Sequence, residues 1–394
     1  MSEATEKLNA EMTDADADAR PLDAEARALV TLDAEAREVY EAVRGGGAAV
    51  FDLRERGRVE VAGAEAVQFL NGLVTNDVKA LSDGRWMRAA FPNVQGRLIA
   101  NARVLRTGDA FLFDTEPATR AALLKTLERF TLAGDFRVRD LTGETSCLSV
   151  QGARAADVVR ETLGEEAAAL ARGQVFKSQG GGHSSDVGRR FTRTFTILRD
   201  THTSEDGFDV IVGASDADAL LAELTRAGAL RAVGEASEVL RVEAGVPVYG
   251  KDVDESSVVL EAVAEEAVSF TKGCYVGQEI IARIHWRGHV AKKLAGLVFE
   301  GDARPATPAR LLAGEADREA GRVTSAVFSP RLGRAVALAV VKYEFLKAGT
   351  RLRIASGEGE EALAARVAEL PLVRGSWYEG EATSEASDDA GASL

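Results

Sequence analysis

Lys272-Gly273-Cys274-Tyr275-Val276-Gly277-Gln278-Glu279, running into Ile280-Ile281-Ala282-Arg283-Ile284, is the most specific stretch of the chain. It sets one of only two cysteines in 394 residues on a loop bracketed by glycines. Gly273 and Gly277 permit backbone turns that a side chain disfavours. Gln278 and Glu279 sit where a helix begins, so its free N–H groups are available to face Cys274. Lys272 stands two residues before the thiol. A nearby cation and a helix N-terminus both favour thiolate over thiol. Local chemistry therefore reads equally as a reactive cysteine or as a small buried one packed at a helix start.

Working outward, a 41.8 kDa chain with 46% hydrophobic residues has the material for two or three domains with real cores. Two distant cysteines argue against a disulfide framework and fit a reducing compartment. No apolar run approaches a membrane span and Met1 opens no signal peptide, so a cytoplasmic protein with no membrane contact is expected. The net charge of −14 belongs mostly to the ends. Residues 1–35 carry ten acids against three bases, and residues 375–394 five acids and no base. Both ends are poor in large apolar residues, and disorder is expected there. The near-neutral body has no basic stripe, so no direct nucleic-acid binding is expected.

Along the body, a short helix over 35–44 stops at Gly45-Gly46-Gly47. Strands are expected at 49–53, 58–61, 85–91, 98–106 and 110–114, with a helix at 64–72. Thr75-Asn76-Asp77 reads as a turn. Pro117 starts an amphipathic helix carrying Leu123, Leu124, Leu127 and Phe130 on one face. Cys147 lies in an apolar strand, 146–150, as an inert core thiol. Helices at 153–163 and 216–227 alternate with strands at 191–198 and 208–212, a mixture that indicates an α+β body. Gly180-Gly181-Gly182-His183 lacks the strand-before, helix-after context of a nucleotide loop and reads as a surface insertion. His285 and His289 are helically spaced, but Gly288 interrupts them and no metal site is expected. Residues 238–245 form a helix whose last turn carries Glu243, an acid at the end the dipole disfavours; a ring offering paired N–H donors would suit it. Short strands at 293–300, 319–328, 335–342, 350–354 and 362–368 indicate a small C-terminal β-barrel or sandwich.

The octapeptide resembles the K-G-C-Y-x-G-Q-E signature of YgfZ-type folate-binding proteins, relatives of the glycine-cleavage T-protein. Phe69-Leu70-Asn71-Gly72-Leu73-Val74-Thr75-Asn76-Asp77-Val78, residues 240–250, Gly321-Arg322-Val323-Thr324-Ser325 and Phe328-Ser329-Pro330-Arg331-Leu332-Gly333 are similar to segments shared across that superfamily. The resemblance covers residues 40–372. It implies an α+β, T-protein-like multidomain body around a central folate channel, with two intertwined subdomains over 36–290 and the small β-barrel over 291–374. It implies tetrahydrofolate or a one-carbon derivative as cofactor.

By the same resemblance Glu243 holds the pterin, with Asn101, Asn76 and Tyr249 around the ligand and Arg283 and Arg287 toward its carboxylate tail. Cys274 is the acting residue, supported by Lys272, and Gly273, Tyr275, Gly277, Gln278 and Glu279 shape its loop. T-proteins carry an Asp-Asp pair where this chain has Ala100-Asn101. Alanine moves no proton, and an amide is no acid or base near neutrality. The implied function is a tetrahydrofolate-binding accessory factor for iron–sulfur cluster assembly or repair, including clusters of radical tRNA-modifying enzymes. It would meet iron–sulfur proteins or their assembly machinery transiently, since two cysteines cannot ligate a cluster alone. The alternative is a folate-dependent aminomethyltransferase or demethylase; a third reading is a folate-stabilised binding module.

Overall fold

The computed structural model describes residues 32–129, 131, 134–178, 191–354 and 362–379. Gly180 to His183, Phe130 and most of both acidic ends lie outside the described residues. In chain order the elements begin α1 (Ala34–Arg44), β1 (Ala49–Asp52), β2 (Gly57–Ala62), α2 (Ala66–Leu73), β3 (Arg85–Pro92), β4 (Leu98–Thr107) and β5 (Ala110–Thr115). Next come α3 (Arg120–Glu128), β6 (Arg137–Asp140), β7 (Thr145–Gln151), α4 (Ala155–Leu163), α5 (Glu165–Ala168), β8 (Val175–Lys177), β9 (Phe195–Arg199) and β10 (Gly207–Gly213). Then follow α6 (Ala217–Arg226), β11 (Leu230–Arg231), α7 (Gly234–Glu243), α8 (Val259–Ala262) and α9 (Gln278–Arg287). The last six strands are β12 (Lys292–Phe299), β13 (Ala309–Ala313), β14 (Arg318–Ser329), β15 (Arg334–Lys342), β16 (Arg351–Ile354) and β17 (Ala364–Ala368).

Side-chain alternation along the strands sorts these into layers. A five-stranded sheet runs β3-β4-β5-β2-β6, and a six-stranded sheet runs β11-β1-β7-β10-β9-β8. In the first, Val59, Val61, Ala100, Ala102, Val104, Phe111 and Phe113 turn toward α2 and α3. In the second, Leu148, Val150, Phe208, Val210 and Val212 turn toward α4 and α6. The opposite faces meet each other. β1 and β2 are consecutive yet belong to different sheets, which interlocks the two halves. The last six strands close a barrel in the order β12-β15-β14-β13-β16-β17. The sequence reading located five of those six; Ala309–Ala313, between cis-Pro308 and Gly314, is the one it missed.

The layer between the sheets is apolar at one end and charged in the middle. Leu105, Cys147, Leu198 and Ile211 pack together with Trp86 and Leu112. One step along the strands, the fully buried Arg103 reaches Asp114, Asp200 and Asp209. Arg56 also grips Asp114, Arg88 grips Asp200, and His202 Nε2 lies 2.9 Å from Asp209. Burial alone would raise these carboxyls, but Arg103 and Arg56 hold Asp114 low, and His202 and Arg103 hold Asp209 lower still.

Removing Arg103 takes the shared cation from three buried carboxylates and leaves each with one partner, Arg56, Arg88 or His202. We expect Arg103→Met to cost about 3–5 kcal/mol in denaturant unfolding. Depressed carboxyl values contribute stability above the unfolded value and lose it as pH falls below about 4. Wild-type stability should therefore drop on acidification below that point, with a shallower drop in Arg103→Met.

Candidate functional site

One row beyond the charged layer, the first sheet packs against the octapeptide loop and α8, with Ala90 fully buried beside Tyr275 and Val259. Its ladder pairs Ala90 with Asn101 and Ala102 with Thr115, so Ala90, Asn101 and Glu116 fall in one cross-strand row. Period-two alternation puts this row on the same face as Arg88, Arg103 and Asp114. Asn101 is half-buried and makes no side-chain hydrogen bond within the described residues; its carbonyl accepts from the Thr115 hydroxyl at 2.7 Å. Ala100 points the other way, fully buried in the helix-covered core. Of the two positions where T-proteins carry acids, only Asn101 faces the inter-sheet side.

The octapeptide loop closes over this row. Gly277 adopts φ +76° as the residue before α9, and an added Cβ there would stand 2.4 Å from the Asn93 carbonyl. That position requires glycine. Tyr275 is buried with Ala90, Leu98, Val259 and Ile281, and burial pushes its phenol up to about 12. Val276 N–H bonds the Gly72 carbonyl, and Ser269 N–H bonds that of Thr75. The loop is thus laced to the turn after α2.

Lys272 completes that lacing. Its ammonium donates to the carbonyls of Val74 (2.8 Å) and Asn76 (2.6 Å) and stands 5.1 Å from the centre of the Tyr275 ring. Burial pulls its pKa down to about 8. The expected partnership with the thiol is therefore corrected: the ammonium is committed to carbonyls freed at the end of α2. Cys274 itself is exposed, in contrast to the fully buried Cys147, whose thiol is pushed upward by burial and by Asp209 and Asp114. Gly273 and Glu279 are exposed as well, and Gln278 opens α9.

The other expected residues separate. Asn76 is spent as a clasp, donating to the carbonyls of Arg88 and Glu266. Arg283 and Arg287 stand exposed on α9. His285 stacks on Phe270 and His289 on Tyr343, beyond the helix end. Tyr249 does reach the row: its N–H donates to Glu116 Oε2 at 2.7 Å.

Glu243 does not reach it. Its carboxylate, 0% exposed, accepts from Tyr40 Oη, from Arg44 Nε and Nη2, and from Ser329 Oγ. Both oxygens are taken, so the expectation of a pterin there is corrected. The awkward acid at the end of α7 is answered by an arginine.

Sequence reasoning passed over Glu116, Glu261 and the Arg88–Arg103–Asp200–His202–Asp209 cluster. Glu261 is buried on α8, with Oε2 accepting from Val258 N–H and Oε1 unpartnered among the described residues. Charged residues at alternate positions of otherwise apolar strands were the available signal. A separate cavity of about 370 Å³ lies between α7 and the barrel, bordered by Glu238, Lys251, Arg304 and Phe328. It contains none of the octapeptide residues.

This architecture, an antiparallel five-stranded sheet backed by a mixed six-stranded sheet and followed by a closed six-stranded barrel, defines a class of protein. Residues 1–272 match the GCVT N-terminal domain and residues 292–374 the glycine cleavage T-protein C-terminal barrel domain. The chain belongs to the glycine cleavage T-protein family. It is 33% identical to an aminomethyltransferase of Rubrobacter xylanophilus over 85% of each chain. It is 32% identical to one from Thermus thermophilus, covering 74% of this chain and 79% of that one. The solved aminomethyltransferase T of Bartonella henselae superposes with a TM-score of 0.75 at 22% identity, over 88% of this chain and 91% of that one, a likeness of fold. No helix among the described residues is long and apolar enough to cross a membrane.

Exposure of one thiol and enclosure of the other fixes a simple outcome. Iodoacetamide should modify one thiol per native chain, at Cys274, and two in denaturant, read by intact mass. Two modified thiols in the native protein would contradict the burial of Cys147.

Proposed function

We propose that this protein binds a reduced folate over the Ala90–Asn101–Glu116 row and serves iron–sulfur proteins as an accessory factor through Cys274. The observation that carries this reading is an exposed thiol on a loop built down onto a floor where Asn101, an amide, stands at the one position of the family's acid pair that faces it. The residues fit a pterin-like ring. Glu116 Oε1 and the Asn101 amide have no protein partner among the described residues, Glu261 Oε1 is similarly open, and Tyr275, Tyr249 and Phe270 supply aromatic walls. When bound, the folate would supply the one-carbon unit; the chain would orient it and present the sulfur.

Partners would be iron–sulfur proteins or their assembly machinery, including radical tRNA-modifying enzymes, met transiently because Cys274 is the single exposed thiol among the described residues. The names of the relatives, aminomethyltransferases at 27–33% identity, favour a second reading: folate-dependent aminomethyl transfer. Against it stands Asn101, an amide at the one floor position where the family carries an acid.

Tetrahydrofolate titration of the purified protein tests the shared part of both readings. Cys274→Ala should leave that affinity unchanged while failing to restore iron–sulfur enzyme activity in a strain lacking the gene. Full complementation by Cys274→Ala, or methylene-tetrahydrofolate formation from an aminomethyl donor at T-protein rates, would overturn the accessory reading.

A further inference from the structure

Among the described residues, Glu116 is the one carboxyl in the Ala90–Asn101–Glu116 row. It follows β5 directly, with φ −65° and ψ 150°, so the strand's alternation carries through it. Asp114, two residues earlier, meets Arg103 on the inter-sheet side, and Glu116 therefore stands on that side opposite Asn101.

Its two oxygens are in different situations. Oε2 is fixed by the Tyr249 N–H at 2.7 Å. Oε1 has no protein partner among the described residues, yet it is not sealed from solvent. A carboxylate anchored by one oxygen and open at the other is pre-oriented for a donor, with little rotamer freedom left to lose.

The surrounding charges do not neutralise it. Arg56 approaches from the turn after β1 but is bound to Asp114 at 2.8 Å. Arg241 approaches from α7 but is bound to Glu238 and Asp252. Asp252, from the loop after α7, adds a like charge. Asp254 and Glu255 press on the Tyr249 ring beyond it. Burial is the largest influence and raises the Glu116 carboxyl, Asp252 adds to the rise, and the Tyr249 N–H, Arg56 and Arg241 oppose it only in part.

We propose that Glu116 is the ligand-coupled acid of this site, its ionised Oε1 accepting an N–H donor of the bound folate or of the nitrogen carrying its one-carbon unit. Asn101 beside it supplies the neutral amide contact. The carboxyl that T-proteins carry on β4 has its counterpart here just past the end of β5. No covalent bond of the ligand is made or broken in this step; the only transfer is that of a proton. A Glu116 that is protonated in the free protein releases its proton to water as the N–H donor takes the oxygen.

The inference rests on the folate reading, and its test separates the two. Tetrahydrofolate is titrated calorimetrically into the full chain and into Glu116→Gln between pH 5 and 7.5, in pairs of buffers with different ionisation heats. Gln keeps an acceptor for Tyr249 N–H, and melting temperatures verify the fold. For the wild type we expect proton release on binding toward pH 5 and affinity that weakens as pH falls. For Glu116→Gln we expect affinity about tenfold lower at pH 7.5 and that proton release abolished, as for loss of one charge-assisted bond. Binding by both proteins with the same proton release would overturn the role of Glu116 alone. Absence of binding by the wild type would overturn the folate reading and this proposal together.

Discussion

The Glu243 carboxylate, enclosed at the end of α7, is the constraint on which the domain arrangement depends. Three groups converge on it, Tyr40 and Arg44 from α1 and Ser329 from the barrel, and Arg44 in turn holds the Glu205 carboxylate of the six-stranded half. An unpaired carboxylate at a helix C-terminus is unfavourable, and burial makes it worse. Ion pairing and hydrogen bonds at every lone pair make it tolerable, and they do so only when three parts of the chain are in register. Asp252 repeats the device nearby, accepting from Arg241, Val248 N–H, Thr324 and Ser325. The two acids bolt α7 and its following loop to β14.

Once α7 is bolted, the site follows. Loop 246–253 is held where Tyr249 N–H meets Glu116. Chain 257–259 bonds back to Gly96 and Leu98 at the start of β4. The octapeptide then descends onto the row, tied by Lys272 to the end of α2 and by the close approach of Gly277 to Asn93. Rigid elements therefore fix three sides of the floor, and an exposed sulfur stands on the loop that forms one of them.

Much of this was legible in the chain. Period-two patterns located most strands, and Leu123 and Leu127 mark the buried face of α3 as their spacing required. The similarity of residues 240–250, 321–325 and 328–333 to a known superfamily announced the fold. What those segments do was not legible. Thr324 and Ser325 are polar residues of an expected strand and Ser329 opens an expected turn, yet each is buried, its hydroxyl on Asp252 or Glu243. Glu243 looked like a ligand group because its partner Arg44 lies about two hundred positions away. Lys272 looked like a thiol's neighbour because sequence distance is not spatial distance. Glu116 falls between the expected strand 110–114 and the helix that Pro117 starts, and only strand pairing sets it beside Asn101.

The central claim is that ligand binds over the row of Ala90, Asn101 and Glu116, beneath the octapeptide loop. Hydrogen-exchange mass spectrometry with and without tetrahydrofolate tests it most directly. The account predicts slowed exchange in residues 98–103, 111–117, 246–253 and 268–279. Slowing confined to α7 and residues 304–307 and 326–328, around the 370 Å³ cavity beside the barrel, would contradict it.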